Sequence, residues 1–419
     1  MIRKILVSTL GIGLLIFLGL VLTEGVLWLV PAKYIPGMSG GPRLIKDANI
    51  GYKRQPSARQ AVTSSCYAIS EVSTNNRGFR GEVWDESKAS IAVLGDSYIE
   101  GFQVSDNQTI ETLLQDTLSF QTINAGISSF GTVGEREIYN TYLAPLKPKV
   151  TILYFLTAND IEDNLCQFHQ MGDGTTTKVC ATLSEAGDLI INKKLYSTIN
   201  NSAVNSIMNY CKVCQVVRTL TKKLTSTIPL HSSTSEGYSS YEVATSTTME
   251  QAWAVTEKAL IKLKQEVERD GGRLLIVTIP DYARTSTKWQ QELQEAGYTS
   301  DYIAKLDPQV PLARLKNIAI NDKLDLLTLE EGFLAYRDQY AIPTPYFSYR
   351  CDGHWNPLGH YLAAQLTSRY ILEHNYLDLA TSTREELLHN VNINLQQNPK
   401  IILGEGGYEA IYNNGVYRH

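Results

Sequence analysis

Ser90-Ile91-Ala92-Val93-Leu94-Gly95-Asp96-Ser97-Tyr98 is the stretch on which the fold turns. A short apolar run, Ile91–Leu94, ends in Gly-Asp-Ser and leads into a segment of helical pattern. That order reads as strand, turn, helix. A serine on such a turn stands above the carboxyl edge of a sheet, where open α/β sheets hold their ligands, and its own N–H can point at an oxyanion. As a tripeptide Gly-Asp-Ser is equally an ordinary helix-starting turn, so its weight depends on its neighbours.

Outward from this run, similar short apolar segments recur at Thr122–Asn124, Val150–Leu156, Leu274–Ile279 and Leu324–Leu327. Helical stretches alternate with them. The clearest is Thr248–Arg269, with Ala252, Val255, Leu260, Leu263 and Val267 on one side and Asp270-Gly271-Gly272 as its stop. Strands alternating with helices predict an α/β fold: a doubly wound, mostly parallel sheet between two helical layers, with long insertions and an N-terminal transmembrane helix. The expected organisation is an anchor over residues 1–30, a juxtamembrane wrap over 31–88, an α/β domain over 89–372 and a C-terminal tail over 373–419. Within the wrap, Asn75-Asn76-Arg77-Gly78-Phe79-Arg80-Gly81 is turn-forming. An insertion over about 161–247 ends in a Ser/Thr/Tyr-rich tract, Thr225–Thr248, of the kind found in lids and binding loops. A second, Tyr282–Pro311, is expected to be helical around Trp289–Ala296, and the tail shows a weak helix near Thr383–Leu388. No internal repeat is evident.

The anchor is expected from Arg3 and Lys4 followed by eighteen uncharged residues, Ile5–Leu22. At about 1.5 Å per residue that run matches the hydrocarbon core of a bilayer. A cleaved signal peptide is the alternative reading, but the run is long for one, resumes after Glu24 as Val26-Leu27-Trp28-Leu29-Val30, and lacks an A-x-A-like cleavage site. Basic residues before the span place the N-terminus in the cytoplasm. The rest is then extracytoplasmic, a single-pass inner-membrane protein with its domain in the periplasm. Six cysteines suit that compartment: Cys66, Cys166, Cys180, Cys211, Cys214 and Cys351. Cys166 with Cys180 is the preferred pair, and Cys211-Lys212-Val213-Cys214 reads as structural disulfide chemistry, since no second CxxC or βαβ unit accompanies it.

A net charge of -5 with scattered basic residues argues against a nucleic-acid partner. No H-x-x-H or H-E-x-x-H spacing and no phosphate-cradling glycine loop occurs, so neither a metal nor a cofactor is expected. Nucleophilic chemistry is better supplied. A serine needs a base, and the base a carboxylate to fix its tautomer. His354 has the surroundings for this in Cys351-Asp352-Gly353-His354-Trp355-Asn356-Pro357-Leu358-Gly359-His360: Asp352 can curl back to Nδ1, leaving Nε2 for Ser97, while Asn356-Pro357 starts a helix. His360 falls inside that helix and reads as a packing residue. Donors for an oxyanion are offered where two other strands end, at Asn124-Ala125-Gly126-Ile127-Ser128-Ser129 and at Leu156-Thr157-Ala158-Asn159-Asp160.

These four segments, in this order, resemble the blocks of the SGNH, or GDSL, hydrolase superfamily over roughly residues 70–372. The resemblance implies Ser97 as nucleophile and oxyanion donor, Asn159 as side-chain oxyanion donor, His354 as base and Asp352 as its orienter. The second-block backbone donor aligns with Ser129, with Gly126 as the alternative. The segment Asn75–Gly81 also resembles one that precedes the GDS block in some anchored members. Thr157 stands where the family has the glycine of its GxND block. Asp352 precedes His354 by two residues instead of three, as in the branch that holds periplasmic alginate acetylation proteins. The activity so implied is hydrolysis of acyl, chiefly acetyl, esters on a glycan, cell-envelope polymer or small ester. Two alternatives stand beside it: acyl transfer onto an exported glycan, with a membrane acyltransferase as partner, and a catalytically silent scaffold or assembly subunit.

Overall fold

A computed structural model of the chain describes residues 2–30, 41–62, 70–88, 90–171, 175–194, 211–214, 216–217, 238–286, 288–295, 297–342, 347–349, 353–404 and 407. In chain order the strands are β1 (Leu44–Asp47), β2 (Gly51–Arg54), β3 (Arg59–Val62), β4 (Ser70–Ser73), β5 (Ser90–Leu94), β6 (Gln121–Asn124), β7 (Val150–Phe155), β8 (Cys180–Leu183), β9 (Leu189–Asn192), β10 (Arg273–Thr278) and β11 (Leu326–Leu327). The principal helices are α1 (Ile2–Leu29), α2 (Ser97–Glu100), α3 (Ile110–Leu118), α4 (Thr132–Ile138), α5 (Asp160–Asn164), α6 (Thr247–Arg269), α7 (Gln309–Asn321), α8 (Glu330–Tyr340), α9 (Pro357–Glu373) and α10 (Thr381–Asn394).

Five strands form a parallel sheet in the order β11-β10-β7-β5-β6. The chain runs from β5 out to the β6 edge, then crosses back past β5 to β7, β10 and β11. The reversal between β5 and β7 is the switch point at which open α/β sheets leave a crevice. β5, β7 and nearly all of β10 are buried, as expected for strands covered on both faces. Side-chain alternation divides them between two cores: Ala92, Leu94, Leu153, Phe155, Leu274 and Ile276 join one, and Ile91, Val93, Ile152, Tyr154, Leu275 and Val277 the other. Against the first pack α4, α6 and α7; against the second pack α3, α8 and α9. The predicted three layers are therefore present, and the antiparallel pairs (β1 with β2, β3 with β4, β8 with β9) lie outside the central sheet.

The local signals act as the sequence leads one to expect. Ser246 Oγ accepts from Met249 N at 3.2 Å to start α6, and Gly271, at φ 88°, follows its end. Asn356 caps α9 by accepting from Leu358 N and Gly359 N, with Pro357 in the first turn. Trp289–Glu295 is helical within the second insertion. The wrap differs from the irregular segment expected, because it contains two hairpins. Their four-residue strands are too short and too polar to show a period. In the tail, the weak helix signal corresponds to the longer α10, which packs on α9 through Val391 and through Tyr361 Oη donating to Asn394 O at 3.1 Å.

Residues Ile2–Leu29 form one continuous 28-residue helix, on which Leu15 and Leu22 are 70% and 73% exposed. Among the described residues no helix is long and apolar enough to cross a membrane; the side chains of residues 2–10, 12, 13 and 16 of α1 lie outside them. Glu24, the carboxylate that interrupts the apolar run, accepts from Lys212 N and Val213 N at 2.7 and 2.8 Å. The turn that docks there is the CxxC, whose Cys211 and Cys214 are bonded to each other. Cys166 and Cys180 are bonded, as preferred from sequence. Cys66 and Cys351, and residues 225–237 of the Ser/Thr/Tyr-rich tract, lie outside the described residues.

The Cys166–Cys180 bond closes a loop of sequence separation 14 between α5 and β8. Replacing both cysteines by serine is expected to cost about 3 kcal/mol, the loop-closure value for a ring of this size. The guanidinium unfolding midpoint should fall accordingly, and an unchanged midpoint would contradict the assignment.

Candidate active site

Ser97 opens α2 directly after β5. Gly95 makes this turn feasible: its φ is +157°, and a Cβ there would fall 2.3 Å from Ile99 Cγ1. Asp96 is fully buried and caps the helix, its Oδ1 accepting from Tyr98 N at 2.9 Å and its Oδ2 from Asn159 Nδ2 at 3.3 Å. Burial raises the Asp96 carboxyl above its usual range, while the Tyr98 N–H and the charge of His354 pull it back.

His354 arrives from the far end of the chain with Nε2 2.7 Å from Ser97 Oγ. With Nε2 as acceptor, the ring proton resides on Nδ1. The loop that carries the imidazole is fixed by its own backbone, Gly353 N donating to Tyr349 O at 2.7 Å and Tyr349 N to His354 O at 2.8 Å. It is also tied to the neighbour of Ser97: Tyr98 Oη donates to Gly353 O at 2.8 Å, and its ring lies 4.9 Å from the imidazole. Buried Trp355 wedges edge-on against Tyr98. Asp352 lies outside the described residues. His360 is buried, its ring edge-on to Trp355; burial, then the charges of Arg80 and His354, push its pKa down to about 3 and keep it neutral.

Three elements at the carboxyl edge offer donors. The Ser97 N–H and the Ser129 N–H have no acceptor among the described residues. Of the two residues weighed for the second donor, Gly126 has its N–H engaged by Asn124 Oδ1 at 2.9 Å. It serves packing, since a Cβ there would meet Glu100 N at 2.7 Å. Ser129 takes the left-handed conformation, φ 66°, that the turn requires. Asn159 caps α5 beside Asp96, so its amide faces the same turn. Thr157, the departure from glycine, has a local reason: its Oγ1 accepts from the buried Arg284, whose guanidinium also binds Ile279 O and lies 3.1 Å from Glu330. Arg284 belongs to the second insertion and carries no sequence signal of this contact. Tyr98 was equally unforeseen, although its place beside the serine could have marked it.

Behind Asp96 lie further buried carboxyls. Glu135 of α4 has both oxygens without a hydrogen-bond partner, and Asp160 of α5 has one; its other accepts from Leu156 N at 2.7 Å. Burial, reinforced for Glu135 by the charges of Asp96 and Asp163 and for Asp160 by those of Glu135 and Asp96, holds both well above the usual carboxylate range. Asp163 is pushed to about 6 by burial, against the pull of Lys178 2.6 Å away. Two carboxyls with raised pKa thus lie behind the one that caps α2.

In chain order, then, the sheet edge presents the GDS turn, the Ser128-Ser129 turn, the Asn159 turn and the His354 loop. Among solved structures, the acetyl xylan esterase AlAXEase is similar to the chain: it is 11% identical over 67% of this chain and 99% of its own, with a TM-score of 0.35. The lipase/acylhydrolase from Enterococcus faecalis is 11% identical over 68% of this chain and 95% of its own, TM-score 0.32. A GDSL-like lipase from Bacteroides thetaiotaomicron is 10% identical over 70% and 91%, TM-score 0.31. No protein-family model matches the sequence, and no curated protein matches it. Identity of this order bears on neither reaction nor substrate.

The raised carboxyls make a pH test available. Glu135 stays protonated in the fold above the pH, about 4.5, at which the unfolded chain ionises. The unfolded state then binds fewer protons, so this group's contribution falls as pH rises from there toward its folded pKa. Glu135→Gln removes that burden. Its melting temperature relative to wild type should rise between pH 5 and pH 8, and a constant difference across that range would refute the protonated assignment.

Proposed function

We propose that the chain is an exported, membrane-tethered serine esterase of the SGNH type, acting on acyl esters, chiefly acetyl, of a glycan or cell-envelope polymer. The observation that carries this reading is the 2.7 Å contact between His354 Nε2 and Ser97 Oγ, joining residues 257 positions apart. No packing requirement of the two cores asks for that contact, and it has the geometry by which an imidazole activates a hydroxyl.

In the proposed reaction Ser97 Oγ attacks the ester carbonyl as His354 takes its proton. The carbonyl oxygen gains charge as the carbon becomes tetrahedral, and the Ser97 and Ser129 N–H groups and the Asn159 amide stabilise it. His354 returns the proton to the departing alcohol oxygen. Water, deprotonated by the same imidazole, then attacks the acyl-enzyme; the bond to Ser97 Oγ breaks, His354 returns the proton to that oxygen, and the carboxylic acid leaves. Asp352 is assigned by resemblance to the Nδ1–H side of the ring. Export and tethering rest on the N-terminal sequence pattern, and two disulfides suit an extracytoplasmic compartment. The preference for a short acyl group on a polar polymer rests on that compartment and on the polar, tyrosine-rich composition.

A fluorophosphonate probe should label the wild-type chain and not Ser97→Ala, while His354→Ala should slow labelling by about 10²–10⁴-fold. Equal labelling of wild type and Ser97→Ala would end the serine assignment. Acetate release from an acetylated glycan, compared with and without an acceptor sugar, assigns the second half-reaction: acetate without an acceptor means hydrolysis, and acetate only as acetylated sugar means transfer.

A further inference from the structure

Glu100, the last residue of α2, is an ionisable side chain with 2% exposure three residues from the nucleophile. Its neighbours come from two other parts of the chain. Arg54, at the end of β2 in the juxtamembrane wrap, grips it with both edges of the carboxylate, Nε to Oε1 at 2.6 Å and Nη2 to Oε2 at 2.7 Å. On the other side Oε2 accepts from Ser128, through its N–H at 3.3 Å and through its hydroxyl. Two residues before Arg54, Tyr52 Oη donates to Ser128 O at 3.1 Å, and its ring packs edge-on against Phe130. One short strand of the wrap therefore holds Ser128 at its carbonyl directly and at its N–H and hydroxyl through Glu100. Ser129 is the next residue, and its left-handed backbone is the conformation that a loosened turn would lose first.

Glu100 and Ser97 belong to the same single helical turn, so the carboxylate fixes the spacing between two backbone donors: Ser97 N at one end of α2 and Ser129 N across the loop. The wrap secures the same turn a second time. Arg80, with a fully buried side chain, donates to Glu100 O at 3.1 Å, Gly101 O at 2.8 Å and Val104 O at 2.8 Å, and pairs with Asp106. These carbonyls close the C-terminal end of α2, where the helix has no further N–H groups to offer them.

We infer that Tyr52 and Arg54 are positioning residues for the oxyanion hole: strand β2 of the juxtamembrane wrap, acting through Glu100 and Ser128, sets the geometry of the Ser97 and Ser129 N–H pair. This rests on the serine-hydrolase reading. Neither residue touches the reacting atoms, so their effect falls on the chemical step. Donors misplaced by a fraction of an ångström bind the substrate as before and stabilise the developing oxyanion less.

The test uses the full-length protein in detergent and the inactivation of Ser97 by a fluorophosphonate, whose phosphoryl oxygen enters the oxyanion position. It separates the maximal rate, kinact, from the apparent affinity, KI. Tyr52→Phe, which removes a single hydroxyl, should lower kinact about 3–10-fold with KI unchanged, a fraction of the 10²–10³ lost when an oxyanion donor is deleted outright. Arg54→Ala should lose more, and Arg54→Lys should recover part of it, since lysine keeps the charge on Glu100 without the two-pronged grip. Melting temperatures are measured alongside. Wild-type kinact in both Tyr52→Phe and Arg54→Lys would overturn the inference, as would losses confined to KI or losses that scale with melting temperature. Absence of Ser97-dependent labelling in the wild type is the distinct failure of the hydrolase reading, and the inference falls with it.

Discussion

Strand β5 is hydrogen-bonded on one side to β6 and on the other to β7, and the active-site geometry depends on that double pairing. Register aligns Val93 with Asn124 and Leu94 with Leu153, so the carboxyl ends of three strands stop within a residue or two of one another. The turns that follow have to share one small volume. Ser97, Ser129 and Asn159 meet there because the strands before them are in register, although 62 residues of chain separate the first from the last. The order of the strands does the rest, since the crossovers change sides between β5 and β7, the point at which open α/β sheets leave a crevice.

Electrostatics at this crevice is arranged by burial as much as by pairing. Charged groups taken out of water must be matched or neutralised. Glu100 is matched by the guanidinium of Arg54, and Arg284 by Glu330 and by the oxygens of Thr157 and Ile279. Glu135 and Asp160 have no such partner, and burial with like-charged neighbours raises the pKa of both well above the usual carboxylate range. The consequence is a turn pinned by ion pairs on one flank and backed by carboxyls of raised pKa on the other. Side-chain hydrogen bonds within it, such as Asn124 Nδ2 to Ile99 O at 2.7 Å, leave α2 little freedom to shift.

Much of this was legible along the chain. The apolar runs of β5, β6, β7 and β10 were found within a residue or two, because a strand buried on both faces leaves an uninterrupted hydrophobic signature. Helix α6 announced its C-terminal end through Asp270-Gly271-Gly272, while the Ser246 cap at its start was found only in the structure. The Ser97 and His354 pair could be singled out because each sits in a segment whose turn chemistry is explicit. The hairpins of the wrap were not legible, since four-residue polar strands have no period to detect. Nor were Arg54, Arg80 and Arg284 distinguishable from surface arginines, because what makes them special is the carboxylate or carbonyl each meets.

By itself the sequence determined the layers and the order of the four site segments, and it favoured the disulfide between Cys166 and Cys180, all of which follow from local composition and spacing. Only the tertiary structure decided which of Gly126 and Ser129 has an N–H to spare, what Thr157 meets in place of a glycine, and that β2 is tied to the Ser128-Ser129 turn through Tyr52, Arg54 and Glu100. Those are outcomes of contacts between residues dozens of positions apart. A hydrogen bond has one donor and one acceptor, and sequence names the candidates for each without saying which of them meet.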